Sequence, residues 1–227
     1  MSNRPLYSYI ALVAILGSVA LAAMLRTGGH VFPAHEPYFW VLVAGIVIGE
    51  LRPVRLMARG DMFETASSTF IFALLLGAGP VPVVAALVPA SIVADATNRK
   101  DWYKAVFNAG QYVLAIGAAG VVIRLLAGRW VLVTHGMIGW REIGVLVCAG
   151  LTYFVVNNLI VGLVIALAGG GRVLRVLTLE FVHQAPADGV LLAPSPVVLV
   201  IAEGSLALVP FLLVPIAAIY ISTQISL

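Results

Sequence analysis

Charge is what this sequence has least of. Only 10% of its 227 residues are Asp, Glu, Lys or Arg, against about 25% in an ordinary soluble domain. So few charges cannot cover the surface of a water-soluble globule this size, which excludes a soluble enzyme as the starting assumption. Cysteine is nearly absent as well: Cys148 stands alone in an apolar run, so no intrachain disulfide can form and no redox compartment can be read from it. There is no dense basic stripe of the kind nucleic-acid binders carry. There is also no Ser/His/Asp or Cys/His catalytic spacing, no phosphate-cradling glycine loop and no CxxC pair. Gly169-Gly170-Gly171 reads as a flexible helix end.

What is present is hydrocarbon. The chain is 62% hydrophobic, with a mean hydropathy of +1.08, so lipid is the solvent for most of its surface. About 20 residues make one spanning helix, which leaves room for at most about ten. Apolar runs and breaker residues mark eight segments: Leu6–Leu25, Pro37–Val54, Thr65–Gly79, Val81–Ala96, Tyr103–Leu126, Ile143–Ala168, Gly189–Ala202 and Ser205–Ile225. The first is longer than a signal-peptide core and reads as a retained helix. The seventh is short and interrupted by Pro194 and Pro196, the pattern of a broken or re-entrant helix. Ahead of it, Val173, Leu174, Leu177 and Phe181 recur at helical spacing beside Arg172 and Arg175, which predicts a short helix lying in the membrane interface. With no repeat, linker or low-complexity stretch, residues 1–227 read as a single domain.

Cation placement predicts orientation. With eight spans and a cytoplasmic N-terminus, Arg4, Arg52, Arg55, Arg59, Arg99, Lys100, Lys104, Arg172 and Arg175 fall inside. These are nine of the thirteen cations, so both termini are expected in the cytoplasm. Removing one span would reverse every later loop and spoil the agreement. The fold expected is therefore an all-α polytopic transmembrane bundle of about eight spans.

In so apolar a chain the informative residues are polar ones at membrane depth. Lys104, Asn108, Gln111 and Tyr112 share one face of the fifth segment, which Ala115, Ala118 and Ala119 continue with small side chains. Thr152, Tyr153, Asn157 and Asn158 lie near the middle of the sixth. Asn108, Gln111, Tyr112, Tyr153, Asn157 and Asn158 are thus either the polar floor of a ligand pocket or hydrogen bonds that hold the bundle together. Adjacent amides point about 100° apart, so Asn157 and Asn158 cannot serve the same neighbour. Glu50 suits either a proton-carrying carboxylate or, more cheaply, a local ion pair with Arg52, Arg55 or Arg59. Asp61, Glu64 and the hydroxyl run Ser67-Ser68-Thr69 suit the N-terminus of the third helix. His30, His35 and His135 fall in predicted outer loops, with Glu36 beside His35. A metal site is the weaker reading of these, and no cofactor is expected.

Several of these features occur in an order that resembles a known group. Gly49-Glu50, Ala66-Ser67-Ser68-Thr69-Phe70, Gly79-Pro80, Trp102 with Phe107-Asn108-Ala109-Gly110-Gln111, Asn157-Asn158 and Glu180-Phe181-Val182-His183 are similar to the MASE-like membrane sensor modules. Those modules form the N-terminal regions of bacterial cyclic-di-GMP signalling proteins, and the resemblance covers about residues 38–225. It implies an inner-membrane sensory or regulatory module, dimeric, that binds a small or lipid-soluble ligand between helices. It further implies a relay through the last span to a cytoplasmic GGDEF, EAL or HD-GYP output domain beyond residue 227, in cis or in trans. A diguanylate cyclase or phosphodiesterase activity would belong to that domain, since this chain shows no catalytic site. The alternative from another class is a small-molecule transporter or the substrate-binding membrane subunit of an uptake system.

Overall fold

A computed structural model describes residues 4–27, 32–52, 54–55, 63–64, 67–133, 139–169, 173–205 and 208. Apart from a two-residue antiparallel ribbon, the regular structure is helical. The helices are α1 (Arg4–Arg26), α2 (Pro37–Leu51), α3 (Ser67–Ala78), α4 (Pro80–Thr97), α5 (Trp102–Ala127), α6 (Trp140–Gly169), α7 (Val173–Leu192) and α8 (Ser195–Gly204). The ribbon joins β1 (Val54–Arg55) to β2 (Phe63–Glu64), with Val54 opposite Glu64 and Arg55 opposite Phe63.

Among the described residues four helices, α1, α4, α5 and α6, are long and apolar enough to cross a membrane, while α2, α3 and α8 are shorter apolar helices. The chain is a helical membrane protein by these four. Its outer surface supports this: Ile15 and Val19 are each 61% exposed and Leu125 is 76% exposed, a poor arrangement in water and an ordinary one in lipid. The segment Ser205–Ile225 lies almost wholly outside the described residues.

The helices run between two ends. Tyr7 of α1 meets Tyr103 of α5 edge to face at 5.6 Å, and Thr27, just past α1, accepts from Arg124 of α5 at 3.2 Å, so these two helices are parallel. They cross where Gly17 meets Gly110: a Cβ on Gly17 would lie 2.8 Å from the Gly110 Cα. Small residues here let two backbones come together, which is how helices associate in lipid. Antiparallel to α5, α6 brings Arg141 to the Leu126 carbonyl at one end and Ile160 to the Tyr9 hydroxyl at the other.

At the centre lies α3, a helix of 12 residues and so about 18 Å long, too short for a bilayer core of about 30 Å. It is apolar all round, and every residue from Thr69 to Ala78 is buried, as such a helix requires. Around it pack α2, α4, α7 and α8. Its last turn is closed from outside: Leu132 and Val133, in the loop after α5, both donate to the Leu76 carbonyl at 2.9 and 3.1 Å, satisfying a group a helix end leaves orphaned. Gly79 alone turns the chain into α4, at φ 83° and ψ −179°, a conformation essentially reserved for glycine.

Three sequence expectations change here. The stretch predicted as a short interfacial helix continues to Leu192 as a 20-residue helix, and the predicted segment Gly189–Ala202 does not exist as a unit. Its first four residues end α7, Ala193 and Pro194 form the turn, and Ser195 to Ala202 belong to α8. Pro194 and Pro196 are the reason, since neither has an N–H to continue the ladder; Val198 is the first to resume it, donating to the Pro194 carbonyl at 2.9 Å. Nor does α3 have an anionic first turn. Glu64 is held in the ribbon opposite Val54, and Asp61 is outside the described residues.

Candidate functional site

The break between α7 and α8 lies against α3 and α6. Leu192 and Ala193 share a cavity of about 270 Å³ with Gly150 of α6 and Phe72 of α3. The cavity is apolar, completed by Phe154 and Leu146 among others. Beyond the break, α8 packs Leu199 against Gly77 of α3 and ends with Glu203 within electrostatic range of Tyr38. The two short helices α3 and α8 thus meet inside the bundle.

Behind the cavity wall is a ladder of buried polar groups. The wall itself is Phe72, whose ring meets Tyr153 edge to face at 5.4 Å. Tyr153 is 5% exposed. Tyr112 of α5 lies within electrostatic range of Tyr153, Glu50 and Asp95. One turn from Tyr112, Asn108 donates its amide to Asp95 Oδ2 at 2.8 Å, and Lys100 donates to Asp95 Oδ1 at 2.7 Å. Gln111 donates to Asn157 Oδ1 of α6. Glu50, at the end of α2, accepts from the Ser67 hydroxyl at 2.6 Å. That contact is possible because Gly49 lets the first residue of α3 come in: a Cβ there would lie 2.6 Å from the Ser67 nitrogen.

The six pocket candidates are therefore spread along this ladder. Asn108 turns to α4, Gln111 and Asn157 join α5 to α6, and Tyr112 and Tyr153 face each other's neighbourhood. Asn158, 2% exposed, donates to the Phe154 carbonyl of its own helix at 2.9 Å. Of the two adjacent amides, Asn157 is the one that accepts from Gln111 of α5. Lys104, predicted on the same face, lies outside the ladder: it pairs with Asp101 at 3.0 Å and its side chain is 51% exposed. Asp101 is held below the usual carboxylate range, first by the Lys104 hydrogen bond and then by that from Tyr103. Arg52 is exposed, and the side chains of Arg55 and Arg59 are outside the described residues.

Among the histidines, His35 is an exposed neighbour of Glu36 at 3.3 Å, whereas His30 and His135 lie outside the described residues. No cluster of three metal-ligating side chains occurs among the described residues. Asp95 is the functional-site candidate that the sequence conceals. It stands beside Asn98-Arg99-Lys100 and reads as the polar end of a helix, yet it is 4% exposed. The available signal was helical spacing from Ser91, which is also buried and points the same way along α4.

Comparison with protein-family models, curated proteins and solved structures gives no match. The class the structure defines is an α-helical membrane bundle in which, among the described residues, four helices are long and apolar enough to span.

Proposed function

We propose that this chain is a sensory or regulatory membrane module that takes a small lipid-soluble ligand between its helices. The observation that carries the reading is the apolar cavity at the α7–α8 break, separated only by Phe72 and Tyr153 from a polar ladder linking α4, α5 and α6. A dry apolar cavity binds apolar guests. A guest seated against Phe72 would press on Tyr153 and bias how α5 sits on α6, the differential contact that a ligand-driven shift requires. In this reading the chain has eight spans with both termini in the cytoplasm of a bacterial inner-membrane protein. It works as a dimer and passes the shift through Ser205–Ile225 to an output domain of the GGDEF, EAL or HD-GYP type.

The test is cyclic-di-GMP measured in cells carrying the full-length protein. Gly150→Leu fills the cavity and is expected to lock the output in one state, while Asn157→Leu is expected to alter it without loss of membrane insertion. Output identical to wild type in both variants would sink the reading.

One observation favours a second reading. The break before α8, which packs on another short helix, α3, resembles the broken helices that transporters use to expose backbone groups to a solute. Uptake of a labelled solute into proteoliposomes separates the two, because a sensor module moves nothing.

A further inference from the structure

Sharing no residue with the cavity at the α7–α8 break, α1 and α5 line a groove of about 460 Å³. It runs along α5 from Leu114 to Arg124, ten residues and so about 15 Å, the depth of one leaflet of a hydrocarbon core about 30 Å thick. Its walls are apolar and mostly small, with Ala20, Ala23, Gly117 and Ala118 among them. The lower part is therefore a slot for a chain of methylenes.

The upper end is different. Arg124 lies 22 residues beyond Trp102, about 33 Å along α5, so the two mark opposite boundaries of the hydrocarbon. Its guanidinium is 4.7 Å from the ring centroid of Trp130. It donates one hydrogen bond, to the Thr27 carbonyl at 3.2 Å, and Trp130 Nε1 donates to the same oxygen at 3.1 Å. These contacts hold the guanidinium at the mouth of the groove and, among the described residues, use one of its five N–H donors. Among the described residues no carboxylate pairs with Arg124. Arg26 ends α1 at the same level, and Arg129 and Arg141 lie nearby with Glu142, so this end of the bundle is cationic.

A leaflet-deep apolar slot beneath a planar, stacked cation has the chemistry of one occupant. We infer that the α1–α5 groove binds an anionic phospholipid, with an acyl chain between Ala20 and Ala118 and the headgroup phosphate on Arg124. Guanidinium forks match phosphate oxygens, and basic sites between spanning helices hold anionic headgroups. The site is independent of the cavity at the α7–α8 break.

Native mass spectrometry of the full chain, purified with an equal mixture of phosphatidylglycerol and phosphatidylcholine bearing identical acyl chains, tests this. The wild type is expected to retain phosphatidylglycerol about fivefold over phosphatidylcholine, the order given by one Arg near an anionic lipid. Arg124→Gln should erase that preference, and Ala118→Leu should reduce retention of both lipids. Added inorganic phosphate should displace neither. Equal retention by the wild type, or an unchanged preference in Arg124→Gln, overturns the inference. So does displacement by phosphate, which would show a simple anion pocket. Should Arg124→Gln not fold, Ala118→Leu decides alone. Undiminished lipid with Leu in the slot refutes the site, as does a loss of dimer with no loss of lipid, which would show a second copy seated there.

Discussion

Asn108 and Asp95 meet at 2.8 Å across the α4–α5 interface, amide to carboxylate, and Asp95 is 4% exposed. Removing the amide leaves a buried charged acceptor one donor short. Loss of a hydrogen bond to a charged group costs about 1.5–3 kcal/mol, so Asn108→Leu should unfold at lower temperature than wild type in detergent. Lys100→Met removes the other donor to Asp95, which the exposed ammonium makes partly replaceable by water, and is expected to cost less. Equal stability of wild type and Asn108→Leu would refute the contact.

The Gln111–Asn157 bond joins α5 to α6 side chain to side chain. Hydrogen bonds between membrane helices average about 0.6 kcal/mol and reach about 1.7. A double-mutant cycle of Gln111→Leu and Asn157→Leu should give a coupling in that range. Strict additivity of the two single losses would mean the amides do not act on each other.

Glycine-to-alanine changes should differ in sign by position. At Gly110 a Cβ would lie 2.9 Å from the Val13 carbonyl and 3.1 Å from the Ala14 Cα, both backbone atoms, so α1 must move away. Gly110→Ala should therefore lower stability, and Gly17→Ala likewise. Gly144 has open space around it, so Gly144→Ala should gain about 0.5–1 kcal/mol from the lost chain entropy of glycine in a helix. Thermal unfolding of the three variants checks the contrast.

Gly79→Ala addresses the turn at the heart of the fold. With φ 83° and ψ −179° there, alanine is strained by about 1–3 kcal/mol whatever space surrounds it. The variant should lose stability although no side-chain contact is removed.

At the α5 N-terminus, Asp101 titrates below its ordinary value of 3.8 because Lys104 and then Tyr103 hydrogen-bond to it. A carboxyl depressed in the folded state contributes stability above its unfolded pKa, and that contribution disappears as pH falls through the folded value. Lys104→Met should move the Asp101 titration upward, read by carbon NMR of the carboxyl. Above about pH 5, where both forms are ionised, the pH dependence of unfolding should be unchanged by the substitution. The group is fully exposed, so the effect on stability is small.

Hydropathy alone was enough to identify a helical membrane protein. Runs of apolar residues must become helices in lipid, because no other local structure satisfies every backbone group there, and α1, α4, α5 and α6 begin and end within about three residues of the predicted segments. Proline and glycine chemistry is equally local, so Gly79-Pro80 and the interruption near Pro194 were visible in the residues themselves. Partners were not. Whether Gln111 meets Asn157 or a ligand depends on the rotation of α5 against α6, and periodicity places residues on a face without saying what the face touches. The same holds for Asp95, which resembles a solvated helix end until α5 crosses over it. The extent of α7 also depended on packing: its charged start lowered the local hydropathy below that of a span, yet the helix holds its course against α6 through Phe181 and Phe154, edge to face at 5.3 Å. Composition selects the solvent and the secondary structure, while the placement of a few scarce polar groups is settled only by the interlocking of helix against helix.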